Sequence, residues 1–253
     1  MIDEGVFFHW LLTGWFLLSA LTFLVLLFIP APYGRYLRPG WGPRISARAG
    51  WVMMESTVVV VFGAFWLLGR NPFSSGPLLL LLIWQSHYLY RAFVFPFRMR
   101  GGGSMPLLIV FSGMLFNVVN GYLNGRWLFT LSGHDYSQGW GEPRCAIGLL
   151  LFFSGMVINH RADGRLRRLR RRNGERYGIP RGGLYRLISC PNYFGEIIEW
   201  AGWAMLSWSL PGLAFLVWTA ANLVPRALHH HRWYRETFPD YPPERKALIP
   251  WMM

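Results

Sequence analysis

Long apolar runs broken by short polar stretches dominate the chain. Five of them, near residues 6–29, 50–68, 77–97, 105–123 and 145–160, have the length of a membrane-spanning helix. Two shorter runs follow near 197–210 and 212–224, divided by Pro211, and read as a tight helical hairpin. The pattern therefore predicts an all-α integral membrane protein with seven transmembrane helices. No internal repeat and no low-complexity linker interrupts it, so residues 1–253 are expected to form a single membrane domain.

Composition supports this reading. Hydrophobic residues make up 53% and charged residues 15% of 253, where a soluble domain carries about 25% charged. A soluble globular enzyme and a disordered chain are both excluded. The net charge of +13 suggests nucleic acid at first sight, but the basic residues sit between the apolar runs. On the seven-span reading, 21 of the 25 fall in the loops 30–49, 98–104 and 161–196 and the tail from 225, against Arg70, Arg126 and Arg144 on the other side. Cytoplasmic loops collect Arg and Lys, so this asymmetry expects the N-terminus outside and the C-terminus in the cytoplasm. No nucleic acid and no protein partner is implied. Asp3 and Glu4 precede the first run, unlike the basic start of a cleaved signal peptide, so that run is read as a retained span. Cys145 and Cys190 fall in segments expected on different sides, which excludes a disulfide framework.

Ionisable groups at membrane depth need a partner or a function. Glu55 lies in the second run; Gln85, His87, Tyr88 and Arg91 crowd the third. Trp84, Tyr88 and Arg91 share a helix face by their spacing. Two readings stand: Glu55 and Arg91 as a buried structural ion pair, or a cavity where a carboxyl and a phenol converge on a polar ligand group. After the fifth run, Asn159, Asp163, Arg167 and Arg170 are spaced by four, four and three, one face of a continuing helix. A basic anchor for anionic headgroups is one explanation. Amide, carboxylate and guanidinium on one stripe also suit a ligand with phosphates and hydroxyl or amide edges, such as a nucleotide cofactor. Asn192 and Glu196 are again four apart, with Glu199 beside them. Pro191 suits the first turn of a helix capped by Cys190 or Ser189.

Other signatures are missing. Gly101–Gly103 lies between two runs rather than after a strand, and there is no P-loop. His229, His230 and His231 lack the spacing of membrane di-iron enzymes, and no metal is expected. Gly121 and Gly125 form a GxxxG helix-packing signal.

Three stretches, GMVINHRADGRLRRLR, IPRGGLYRLISCPNYFGEIIEW and HHHRWYRETFPDYPPERKALIPW, resemble the steroid 5α-reductase family and cover most of residues 155–253. Glu55 in WVMMES and Tyr88 in HYLYRAFVF extend the likeness, while residues 1–50 and 105–150 match only as apolar helices. The resemblance implies a multi-pass membrane enzyme that uses NADPH to reduce the Δ4 double bond of a 3-oxo steroid arriving from the bilayer. It implies that residues 1–150 form the substrate cavity and 151–253 the cofactor-binding half. By its residue matches, Glu55 and Tyr88 are the catalytic pair that grips the substrate carbonyl. Asn159, Asp163, Arg167, Arg170, Tyr177, Asn192, Glu196, His230, Tyr234 and Arg245 are the cofactor-binding set. Family members often carry Gln immediately before the catalytic Glu; Met54 stands there. Hydride reaching the β-carbon of an enone pushes charge onto the carbonyl oxygen, where two aimed donors stabilise the transition state. Tyr88 can donate through its phenol, and Glu55 only while protonated. The rival readings are another membrane enone or enoyl reductase, an isoprenylcysteine-type methyltransferase, and a non-enzymatic lipid-binding protein.

Overall fold

The apolar runs become helices in the computed structural model, which describes residues 3–99, 103–174 and 177–253. Gly101 and Gly102 of the glycine run, and Arg100 and Arg176 of the cytoplasmic charge count, lie outside the described residues. Helices α1 (Glu4–Phe28), α2 (Ala47–Leu67), α3 (Ser75–Phe93), α4 (Phe95–Arg98), α5 (Leu107–Arg126), α6 (Pro143–Arg172), α7 (Pro191–Ser207) and α8 (Leu210–Thr237) carry almost all the regular structure. Among the described residues, five helical segments are long and apolar enough to cross a membrane: α1, α2, α3 with α4, α5 with the π-turn after it, and α6. Their outward side chains are apolar and bare, as with Trp10 at 74% and Leu150 at 70% exposure. Such a surface suits lipid, since soluble proteins rarely leave large contiguous apolar patches in water.

Several helix boundaries follow local chemistry. The third run, expected to reach 97, breaks after α3 because Pro96 has no N–H to continue the ladder, and the short α4 follows. Ser46 caps α2 by accepting from the Ala49 amide at 3.1 Å. Helix α7 starts at Pro191 with Cys190 as its N-cap residue, six residues before the apolar run itself begins. The α7–α8 corner turns at Trp208, whose φ of 43° is left-handed.

The chain forms two compact units. The first comprises residues 1–14, 31–146 and 209–212. Here strands β1 (Arg44–Ser46) and β2 (Ser104–Pro106) pair antiparallel with Ile45 opposite Met105, setting the starts of α2 and α5 side by side. The two helices then run parallel at short range. A Cβ on Gly121 would stand 2.8 Å from Val61 Cγ1, and one on Gly125 2.9 Å from Phe65 Cβ, so the GxxxG is a packing seam as its sequence suggests. Helix α3 also packs on α2, with Phe62 and Trp84 stacked at 4.4 Å. A π-helical turn, Trp127–Leu131, continues α5. Arg126 grips Glu4 at the start of α1 through two N–H···O bonds of 2.7 Å.

The second unit comprises residues 15–30, 147–208 and 213–253. Its spine is α6 against α7, joined at glycines seven apart on each helix. A Cβ on Gly195 would lie 2.6 Å from the Asn159 amide nitrogen and 2.7 Å from the Gly155 carbonyl oxygen. Helix α8 folds back along α7, with Phe215 against Trp200 at 4.3 Å and Arg226 Nε donating to the Tyr193 hydroxyl at 2.9 Å. The expected hairpin is therefore present, longer at both ends than its apolar runs. Trp15 of α1 stacks on Trp218 at 4.4 Å. The C-terminal segment returns to α7: Ser189 and Cys190 amides donate to the carbonyls of Lys246 (2.8 Å) and Ala247 (3.1 Å).

Candidate functional site

The sequence-derived residues fall into two polar groups, one in each unit. In the first, Glu55 projects from α2 and meets Arg91 of α3, with Nε 3.6 Å from Oε1. The ion pair expected as one reading thus exists, although at a long distance. Arg91 lies beside two aromatic rings, its guanidinium carbon 4.7 Å from the Trp51 ring and 4.6 Å from the Phe95 ring. Tyr88 is 3% exposed and packs against Trp84 at 5.1 Å and His87 at 4.9 Å. Glu55 and Tyr88 therefore come from neighbouring helices of one pack. Met54 points elsewhere: it fills the α2–α5 seam with Met105 and Val110, opposite Gly113.

In the second group the close α6–α7 approach decides the geometry. With only hydrogen on Gly195, short polar side chains reach across. Asn159 Nδ2 donates to the Asn192 carbonyl at 3.0 Å and to Glu196 Oε2 at 3.2 Å. Asn192 Nδ2 donates to Asp163 Oδ1 at 3.1 Å. Four of the residues picked by spacing are thus one hydrogen-bonded lattice. Beneath it Tyr185, missed in the sequence, is 1% exposed and reaches the Ala162 carbonyl at 3.4 Å. Burial first, and the Asp163 charge second, push its phenol well above its ordinary range.

Arginines and aromatics line the rest. Arg170 lies over the Tyr177 ring at 4.7 Å, and Tyr177 meets Trp233 edge-on at 5.3 Å. Tyr234 stacks on Tyr241 at 5.2 Å, and Arg245 lies 5.1 Å from the Tyr241 ring. Arg245 is only 4% exposed, yet its Nε and Nη1 have no partner among the described residues. Arg167 Nη1 is likewise buried and without one. Unmet guanidinium donors in a buried setting are costly. They suit an anionic group that supplies the missing oxygens, such as a phosphate or carboxylate that a guanidinium can grip bidentately. Trp233 and Tyr241 escaped the sequence reading; the aromatic run 233, 234, 238 and 241 is the signal that marks them.

The histidine triplet is dispersed. His229 Nε2 donates to the Leu26 carbonyl at 2.9 Å, closing the end of α1. His230 packs over Tyr193 at 5.6 Å, its Nδ1 3.9 Å from Cys190 Sγ. His231 Nδ1 lies 2.6 Å from Ser189 Oγ, which also sits 2.7 Å from the Tyr241 hydroxyl and donates to the Lys246 carbonyl at 3.1 Å. Burial, then the charges of Arg235 and Lys246, hold the His231 imidazole below its ordinary 6.5. The folded chain then takes up this proton less readily than the unfolded one. Stability is full above about pH 6.5 and declines as pH falls from there toward the lowered folded value. Melting temperatures from pH 7.5 to 5 should show that decline, and His231→Gln should flatten it; an equal slope in both proteins places the acid sensitivity elsewhere.

The family described as 3-oxo-5-alpha-steroid 4-dehydrogenase matches residues 103–253. The steroid 5-alpha-reductase DET2 of Arabidopsis thaliana is 39% identical over 99% of this chain and 98% of its own length. The chain belongs to the 3-oxo-5-alpha-steroid 4-dehydrogenase family. The bovine protein named 3-oxo-5-alpha-steroid 4-dehydrogenase 1 is 40% identical over 93% of each chain, and the human one 40% over 87% and 85%. The family relation therefore reaches α1, α5 and the loops that the sequence matched only as apolar helices. With five helical segments long and apolar enough to cross a membrane, this member of the family is a multi-pass membrane protein.

Proposed function

We propose that this chain is an NADPH-dependent reductase of the Δ4 double bond of 3-oxo steroids, with seven spans, an external N-terminus and a cytoplasmic C-terminus. The observation that carries the reading is a full-length likeness to proteins named for this chemistry, supported by the hydrogen-bonded group of Asn159, Asp163, Asn192 and Glu196. The orientation rests on the 21 basic residues of the inward loops and tail.

NADPH fits the second group. Arg167, Arg170 and Arg245 would hold its phosphates, with open donors on Arg167 and Arg245. Asn159, Asp163, Asn192 and Glu196 would meet its amide and hydroxyl edges, and Tyr177, His230 and Tyr234 would complete the binding set. When bound, the reduced nicotinamide would supply a hydride for the β-carbon of the enone, and the enolate left behind would take a proton from water at its α-carbon. Glu55 and Tyr88 act on the substrate oxygen. Tyr88 donates its phenolic proton in a hydrogen bond, Glu55 donates in its protonated form, and the Arg91 guanidinium places positive charge behind them as the oxygen becomes anionic. Each contact strengthens as charge develops, so the pair stabilises the transition state more than bound substrate.

The test is turnover of testosterone or progesterone by purified protein in lipid, following reduced-nicotinamide absorbance and product mass. A product two hydrogens heavier, made faster with NADPH than NADH, supports the reading; folded protein that binds no NADPH defeats it. Arg170→Ala is expected to weaken NADPH at least tenfold more than NADH if Arg170 holds the 2′-phosphate. Equal losses assign it to the shared diphosphate or to its stack on Tyr177.

A further inference from the structure

Three asparagines stand on the buried side of α5, in the middle of an otherwise apolar span: Asn117, Asn120 and Asn124, at 5%, 1% and 1% exposure. Polar side chains in a span are expected to bond within the protein or to serve a ligand. Two of the three are accounted for. Asn117 Nδ2 donates to the Met54 carbonyl at 2.7 Å, where α5 lies on α2. Asn124 Nδ2 donates to both the carbonyl and the side-chain oxygen of Asn120, each at 3.1 Å, and reaches the Pro211 carbonyl at 3.5 Å.

Asn120 is different. Asn124 engages its Oδ1, which fixes the amide so that Nδ2 faces the other way. That Nδ2 is fully buried and has no acceptor among the described residues. Its depth follows from the parallel α2–α5 register. Asn117 meets Met54, and Gly121 meets Val58 and Val61, so Asn120 lies at the level of α2 residues between them. Glu55 opens that stretch. Gln85, one turn before Tyr88, reaches the same level of α2 from α3, donating Nε2 to the Val59 carbonyl at 3.0 Å. Gln85 Oε1 is also buried and without a partner. The oriented donor is thus at the depth of the proposed carbonyl-binding pair and inside the same unit.

We infer that Asn120 is a further substrate-binding residue, whose Nδ2 donates to an oxygen of the steroid and is held in that orientation by Asn124. The inference rests on the reductase reading above and adds a contact that neither Glu55 nor Tyr88 supplies. Helix packing does not account for an oriented, unmet donor, because an apolar side chain of the same size would fill the place without leaving one.

That contrast sets the experiment. Asn120→Leu removes the donor while keeping the branching of the side chain, and Asn124 keeps the residue 120 carbonyl as acceptor. Wild type and variant are compared in lipid for steroid kcat/KM, NADPH affinity and melting temperature, using testosterone and androst-4-en-3-one, which lacks the distal oxygen. Expected are a five- to tenfold lower kcat/KM, unchanged NADPH affinity and a melting temperature no lower than wild type. Loss on both substrates assigns the donor to the 3-oxo group; loss on testosterone alone assigns it to the distal oxygen. Unchanged kcat/KM on both, or an activity loss that tracks a lower melting temperature, overturns the inference. Should Asn120→Leu not fold, Asn120→Ala is judged by the same criteria. Wild-type protein that reduces neither steroid defeats the reductase reading and this inference with it. Wild-type turnover with an unaffected variant defeats Asn120 alone.

Discussion

Glu55→Gln is expected to lower turnover of a 3-oxo-Δ4 steroid by about a hundredfold or more while leaving NADPH affinity within about twofold of wild type. The carboxamide keeps the size of the side chain but is a far poorer proton donor to an oxygen that is becoming an enolate. It also replaces the carboxyl that faces Arg91 at 3.6 Å. The effect belongs in kcat, because the lost interaction grows between ground and transition states. NADPH affinity is the control, since every residue assigned to the cofactor lies outside residues 31–146. Normal turnover by the variant would leave Glu55 as the structural half of an ion pair and remove the carbonyl grip from the mechanism.

Gly195→Ala should disrupt the second group. Its Cβ would stand 2.6 Å from one backbone atom of α6 and 2.7 Å from another, and neither can swing aside as a side chain could. The helices must separate, at a cost of about 1–3 kcal/mol, the range for overpacking a tight interior. Asn159 would then lose reach to Asn192 and Glu196, so NADPH affinity should fall at least tenfold alongside a melting temperature several degrees lower. Gly164→Ala is the matched control. A Cβ there meets nothing closer than the Arg168 guanidinium at 3.7 Å, and the better helix former should hold or raise stability. Should Gly195→Ala melt and bind like wild type, the seam is looser than these distances imply.

Helices and the polar stripe were legible because both are local. An apolar run announces a span by its length, Pro191 announces the first turn of α7, and residues four apart on α6 share a face whatever lies opposite. What lies opposite is not local. Nothing in the sequence says that Asn159 of α6 bonds Asn192 and Glu196 of α7, because the seam that allows it depends on glycines some forty residues apart. For the same reason the Asn120 donor was hidden within a run that reads as simply apolar. Arg245 was noticed through family likeness alone, since its burial arises from a tail that returns to α7. For Glu55 and Arg91 the spacing left two readings open, and the observed pair is compatible with both.

Helix α6 has 30 residues and therefore measures about 45 Å, against roughly 30 Å of hydrocarbon in a bilayer. It continues without a break from the apolar stretch into the segment bearing Asp163, Arg167 and Arg170. Those side chains sit on the polar arm of a lever whose fulcrum is in the lipid. A span adjusts its tilt to the thickness of the bilayer, and a tilt of this helix swings its arginines sideways. Cofactor affinity should therefore vary with acyl-chain length in reconstituted membranes, a coupling that detergent micelles conceal.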